Sequence, residues 1–220
     1  MVKILALVEG HTEERFIKKI LSPHYFKLSL FIVPAIYATK VVKNGPNFKG
    51  GGLSFIKFKD QIKRLLKDSS ASAVTTMIDY YACPADFPGR DRKMQGDNQK
   101  SVELFERAVA AEIDDRKFIP FFTLHDFEGL LFSSPKDIAD HMDGVEKFLL
   151  DIRDKFNTPE DINDSPKTCP SNRIVSLFPE YRKPLDGVLI AQKIGLPKMR
   201  QQCPHFDQWL QKLEKLASTP

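Results

Sequence analysis

Residues 2–14 read VKILALVEGHTEE, and the fold turns on how this stretch divides. Val2 to Val8 is a short, nearly unbroken apolar run. A strand buried on both faces, as in a parallel sheet, has that composition. Glu9-Gly10-His11 breaks the run. Thr12 then suits a helix cap, with Glu13 and Glu14 in the first turn, where the positive end of the helix dipole favours acids. Phe16, Ile17, Ile20 and Leu21 supply the apolar stripe of that helix, and Ser22-Pro23 is expected to end it.

The same alternation continues outward. Leu28 to Ile36 reads as a second strand. Residues 40–52 hold Asn44-Gly45-Pro46 and Gly50-Gly51-Gly52, which mark a basic loop. Phe55, Phe58, Ile62, Leu65 and Leu66 recur at helical spacing. Ala73 to Ile78 is a third strand that stops at Asp79. A Pro-rich loop follows, then Val102, Phe105, Val109 and Ile113 mark a third helix. Phe118 to Leu124 is a fourth strand, stopping at His125-Asp126. The order β-α-β-α-β-α-β predicts an α/β fold, a mostly parallel sheet flanked by helices.

After Phe132 the pattern becomes helical and broken. Asp137 to Met142, Val145 to Phe156, Leu185 to Ile194 and His205 to Leu216 are helix candidates, and Asn157 to Asn172 reads as a loop. The expected organisation is an α/β domain over 1–132 and a helical C-terminal extension over 133–220 packed on it.

The chain has 220 residues and is 42% hydrophobic, enough for one sizeable core. The cysteines Cys83, Cys169 and Cys203 stand in no zinc-ligand spacing and do not suggest a disulfide framework. No leader segment or membrane-length apolar window is recognised, so a cytoplasmic location without membrane contact is expected. The net charge is only +4, but Lys40 to Asp68 holds eight basic residues and two acidic ones. Such a stripe is either a phosphate-binding footprint or a solvated helix face with its loop.

Acids that follow strand ends converge in a parallel sheet, because ligands bind beyond the carboxyl ends of the strands. Glu9, Asp79 and Asp126 occupy such positions, and Glu128 lies two residues on. Oxygen ligands of this kind suit Mg²⁺ or Mn²⁺, ions used in phosphoryl chemistry. The alternative is that these acids cap helices and form turns. His11 and His125, beside the acids, are candidates for supporting or general-base roles, or are structural.

VEGHTE at Val8 to Glu13 resembles the opening motif of Toprim domains, found in topoisomerases, primases and overcoming-lysogenization-defect (OLD) nucleases. The chain is more similar still to a bacterial Toprim-like family catalogued as Domain of Unknown Function 4276. VEGHTEERF from Val8, TMIDYYACPADFPG from Thr76, LHDFEGLLF from Leu124 and YRKPLDGVLIAQKIGLPKMRQQCPHFDQW from Tyr181 carry that likeness.

The resemblance implies a Toprim-like (Rossmann-like) fold and a Mg²⁺ or Mn²⁺ site. It makes Glu9 a metal ligand, Glu13 an assisting acid and Asp79 the first acid of an Asp-x-Asp motif. Tyr81 stands where the second Asp belongs, so Asp86, Asp126 or Glu128 would have to complete the ligand set. Tyr81 itself suits a hydrogen-bonding or stacking role, or packs in its loop. Lys40, Lys43, Arg173 and Lys183 are the phosphate-binding candidates.

The activity so implied is metal-dependent cleavage of nucleic acid, DNA ahead of RNA, in a phage or mobile-element defence setting. The chain has no GxxxxGK[ST] loop, so an AAA/ABC-type ATPase would be a separate subunit. A non-catalytic subunit that binds nucleic acid or a partner, and a metal-dependent enzyme acting on a small phosphate ester or nucleotide, are the other readings of the same residues.

Overall fold

The computed structural model describes residues 1–37, 53–92, 94, 97–142, 144–163 and 167–217. Among these the strands β1 (Val2–Val8), β2 (Leu30–Ile36), β3 (Ala73–Asp79), β4 (Phe118–Ile119) and β5 (Phe122–Thr123) form one sheet. The order is β2-β1-β3-β4, with β5 beside the end of β3, and every pairing is parallel. The α/β architecture expected from the apolar runs is the one observed.

The period of two along each strand sorts side chains between two cores. Ile4, Ala6 and Val8 face one, and Leu5 and Leu7 face the other. Helices α3 (Phe55–Leu66) and α4 (Asn98–Ile113) cover the second face through Phe58, Ile62, Phe105 and Val109. The first face is covered by α1 (His11–Phe16) and by helices from the C-terminal third. Phe16, Trp209, Leu210 and Leu213 share that core with β1 and β3. No helix among the described residues is long and apolar enough to cross a membrane.

Three local expectations are corrected. Helix α1 starts at His11 with Gly10 as its N-cap rather than Thr12, because the Glu13 carboxylate turns back to accept the Gly10 N–H at 2.9 Å. Ser22-Pro23 does not end the helix. A π-helical turn at Ile17–Leu21 leads into α2 (Ser22–Phe26), with Pro23 in its first turn, where a missing N–H costs little. The fourth strand is two short pieces, since Pro120 has no N–H to give the ladder. Thr76 repairs the break: its hydroxyl donates to Phe121 O at 2.7 Å and accepts the Phe121 N–H at 2.9 Å.

The C-terminal part adds α5 (Pro135–Ala139), α6 (Glu146–Arg153), α7 (Pro170–Leu177), α8 (Val188–Ile194), α9 (Leu196–Gln202) and α10 (Pro204–Lys215). Helix α7 starts inside the segment read as a loop, with Pro170 in its first turn. The Glu160 carboxylate caps α10, accepting the N–H groups of His205 and Phe206 at 2.9 and 3.0 Å.

A candidate metal and phosphate site at the carboxyl edge

The three neighbouring strands β1, β3 and β5 end at one edge of the sheet, and each is followed by an acid. Glu9 comes directly after Val8, Asp79 closes β3, and Asp126 lies three residues beyond Thr123. A 3₁₀ turn at Phe127–Ser133 then turns Glu128 inward until 1% of it is exposed. Glu13, from the first turn of α1, is buried beside them.

Each carboxylate rests on its own donor. Glu9 accepts the Asp79 N–H at 3.2 Å, and Asp79 accepts the Thr123 hydroxyl at 2.6 Å. Asp126 Oδ2 accepts the Ser171 N–H at 3.1 Å, from the start of α7. Glu128 accepts the Tyr181 hydroxyl at 3.3 Å and faces Lys183 Nζ at 3.7 Å. Gly187 lets that tyrosine in, since a Cβ there would lie 2.5 Å from the Tyr181 oxygen.

Lys183 sits in a π-helical turn, Lys183–Gly187, tied down at both ends. Asp186 accepts the Arg182 N–H at 2.7 Å, and Arg15 of α1 donates to Pro184 O at 3.1 Å.

Burial and mutual repulsion set the proton affinities. Burial raises the pKa of Glu9, and raises that of Glu13 with help from the Glu9 charge. Asp79 is held well above the usual carboxyl range by burial, then by the charges of Glu9, Glu13 and Asp126. Glu128 is pushed up to about 7 by burial and by Asp126, against the pull of Lys183. Burial disfavours the charge on Lys183, but attraction from Glu128, Asp126 and Asp79 outweighs it and raises that pKa.

The other candidates divide. His125 borders the same cleft, its Nδ1 2.9 Å from the Asn163 amide nitrogen, and burial lowers its pKa. Tyr81 also lines the cleft. Asp86 is not at the acids; its carboxylate accepts the Phe55 N–H at 2.9 Å, at the start of α3. His11 is exposed and faces Glu14 at 3.1 Å. Arg173 donates to Thr168 O at 2.6 Å and lies over the Phe156 ring at 5.6 Å. Lys40 and Lys43 lie outside the described residues.

The residues fit a hard divalent cation by their chemistry. They supply several oxygen donors that repel one another, and Asp126 Oδ1 is buried without a hydrogen-bond partner among the described residues. Among the described residues no three His, Cys, Asp or Glu side chains already stand as a ligand set.

A family model described as a domain of unknown function (DUF4276) matches residues 8–214. The chain belongs to that family. No curated protein and no solved structure matches it. All the carboxylates gathered at the edge of this DUF4276 chain lie inside the matched span.

Sequence reasoning missed Thr123, Asn163, Ser171 and Tyr181. Tyr181 opens the last of the family-like stretches, which was the one signal available for it.

Glu128 carries a measurable consequence. Its folded pKa of about 7 exceeds the ordinary 4.5, so between those values the folded protein holds a proton that the unfolded chain has released. The stability this group contributes is complete below about pH 4.5 and is lost as pH rises through about 7. The metal-free protein should melt at progressively lower temperature across that window. Glu128→Gln should flatten the decline, and equal slopes in the two proteins would reject the assignment.

Proposed function

We propose that this protein is a divalent-metal-dependent nuclease acting on nucleic-acid phosphodiesters. One observation carries the reading: acids from three parallel strand ends meet at the carboxyl edge, with Lys183 as a cation that faces them. Ligands bind at that edge in open parallel sheets. Likeness of VEGHTE to the Toprim motif supports the same chemistry.

Glu9, Asp79 and Asp126 would hold Mg²⁺ or Mn²⁺, with Glu13 and Glu128 beside them. When bound, the ion supplies Lewis-acid stabilisation of charge developing on the phosphodiester. Lys183 binds a phosphate oxygen as a point charge. Glu128, with its pKa of about 7, exchanges a proton at neutral pH and suits general acid–base work. The Tyr181 hydroxyl orients that carboxyl. Nucleic acid and a separate AAA/ABC-type ATPase subunit are the partners this reading implies, in a phage or mobile-element defence setting.

The second reading is a non-catalytic Toprim-like binding subunit. It is favoured by Tyr81 in place of a second Asp and by the absence, among the described residues, of a ready-made ligand set.

Calorimetric titration of Mg²⁺ and Mn²⁺ decides between them, followed by incubation with circular and linear DNA and RNA. Cation binding with strand cleavage, both lost in Glu9→Ala/Asp79→Ala, is the expected result. Binding without cleavage of any strand shifts the assignment to a small phosphate ester or a missing subunit. No cation binding in the wild type leaves the binding subunit.

A further inference from the structure

Asp79 leads into a 3₁₀ turn, Tyr80–Ala82, whose two tyrosines part company. Tyr80 turns inward, edge-on to Phe105 at 5.0 Å and beneath the Arg90 guanidinium at 4.1 Å. Tyr81 turns outward and is 51% exposed. It has no ring, hydrogen-bond or ionic partner among the described residues, yet it lines the cleft that holds Asp79, Asp126, His125 and Lys183. Packing within its own loop therefore does not account for it.

We propose that Tyr81 is a stacking platform for an unpaired base, so that the cleft takes single-stranded nucleic acid. The inference rests on the phosphodiester reading of the same cleft and adds the form of the substrate to it. The cleft is small, about 190 Å³, and its acids lie toward the buried side, where Asp126 Oδ1 has no contact with solvent. A duplex presents its phosphates on a broad, stiff cylinder, which reaches acids on the buried side of a small cleft less readily than a flexible strand does. A single strand bends, brings its backbone to Lys183 and leaves its bases free to stack. An exposed aromatic beside the Lys183 cation matches what such strands need, since every base offers a face to stack and every linkage a charge. A tyrosine ring also has few rotatable bonds to immobilise.

The test measures binding, with Ca²⁺ present so that the carboxylates are neutralised without the catalytic ion, by anisotropy of a short fluorescein-labelled oligothymidylate, an abasic strand of equal length and a hairpin duplex. Loss of one base stack should weaken oligothymidylate binding by Tyr81→Ala about 5- to 150-fold. The abasic strand should bind wild type and Tyr81→Ala alike, and Tyr81→Phe should behave as wild type because it keeps the ring. The duplex should bind more weakly than the single strand. Equal oligothymidylate affinity in wild type and Tyr81→Ala overturns the proposal, as does a Tyr81→Phe as weak as Tyr81→Ala, or a wild type that binds no strand. Ring-dependent binding by a protein that cleaves nothing when Mg²⁺ is added upholds the stacking role and rejects the nuclease reading, so the two fail separately.

Discussion

Asp79→Asn should remove divalent-cation binding and, at the same time, raise the melting temperature of the metal-free protein. Both effects follow from one carboxylate. Asp79 lies among Glu9, Glu13 and Asp126, and burial together with those charges lifts its pKa well above the usual range. An amide of the same shape keeps an oxygen for the Thr123 hydroxyl, which donates to Asp79 Oδ1 at 2.6 Å, and removes the charge. The gain should be about 1 kcal/mol, or roughly 2–4 °C for a chain of this size.

The sign with pH is fixed. A raised folded pKa means that the carboxyl costs least stability when protonated, so the gain from Asn grows as pH increases. Cation affinity should move the other way and fall more than about 100-fold, beyond what loss of an outer partner costs. Scanning fluorimetry with and without Mg²⁺, at several pH values, reads both. Wild type should be stabilised by the ion and Asp79→Asn should not. A variant that still gains stability from Mg²⁺ would move the ion elsewhere. A lower metal-free melting temperature would make Asp79 a structural residue.

Trp209→Ala should cost about 3–5 kcal/mol, the largest single loss expected away from the site. The indole is 1% exposed and stacks on Phe121 with 4.3 Å between centroids and 7° between planes. Its Nε1–H donates to Thr75 Oγ1 at 2.8 Å, and Thr75 donates in turn to Ile119 O at 2.6 Å. One side chain of α10 thus clamps β3 to the broken edge strand. Trp209→Phe should lose less, because most of the apolar contact survives while the same bond to Thr75 is lost. Urea denaturation of the three proteins measures the difference. A loss below about 1 kcal/mol in Trp209→Ala would mean that α10 does not unfold together with the sheet.

The sheet itself was legible in the sequence because its signals are local. VKILALV and the run from Ala73 are apolar on both faces, and a strand buried on both sides needs that composition. Acids directly after such runs needed no further information to be placed at the carboxyl edge. Signals that rest on one residue were less dependable. Pro23 marked an end that a π-helical turn absorbed, and Pro120 divided a strand whose apolar pattern runs straight through it.

By itself the sequence determined the α/β alternation, the strand ends that carry Glu9, Asp79 and Asp126, and the family. Only the tertiary structure decided which groups surround those acids. Tyr181 and Lys183 reach Glu128, Ser171 holds Asp126, Asn163 meets His125, and Asp86 is drawn to α3 instead. These partners lie tens of residues apart in the chain, so no periodicity or spacing records them. Their positions follow from helices closing one face of the sheet; burial there lifts the pKa of the Glu128 carboxyl to about 7, while the turn after β3 leaves Tyr81 in the open.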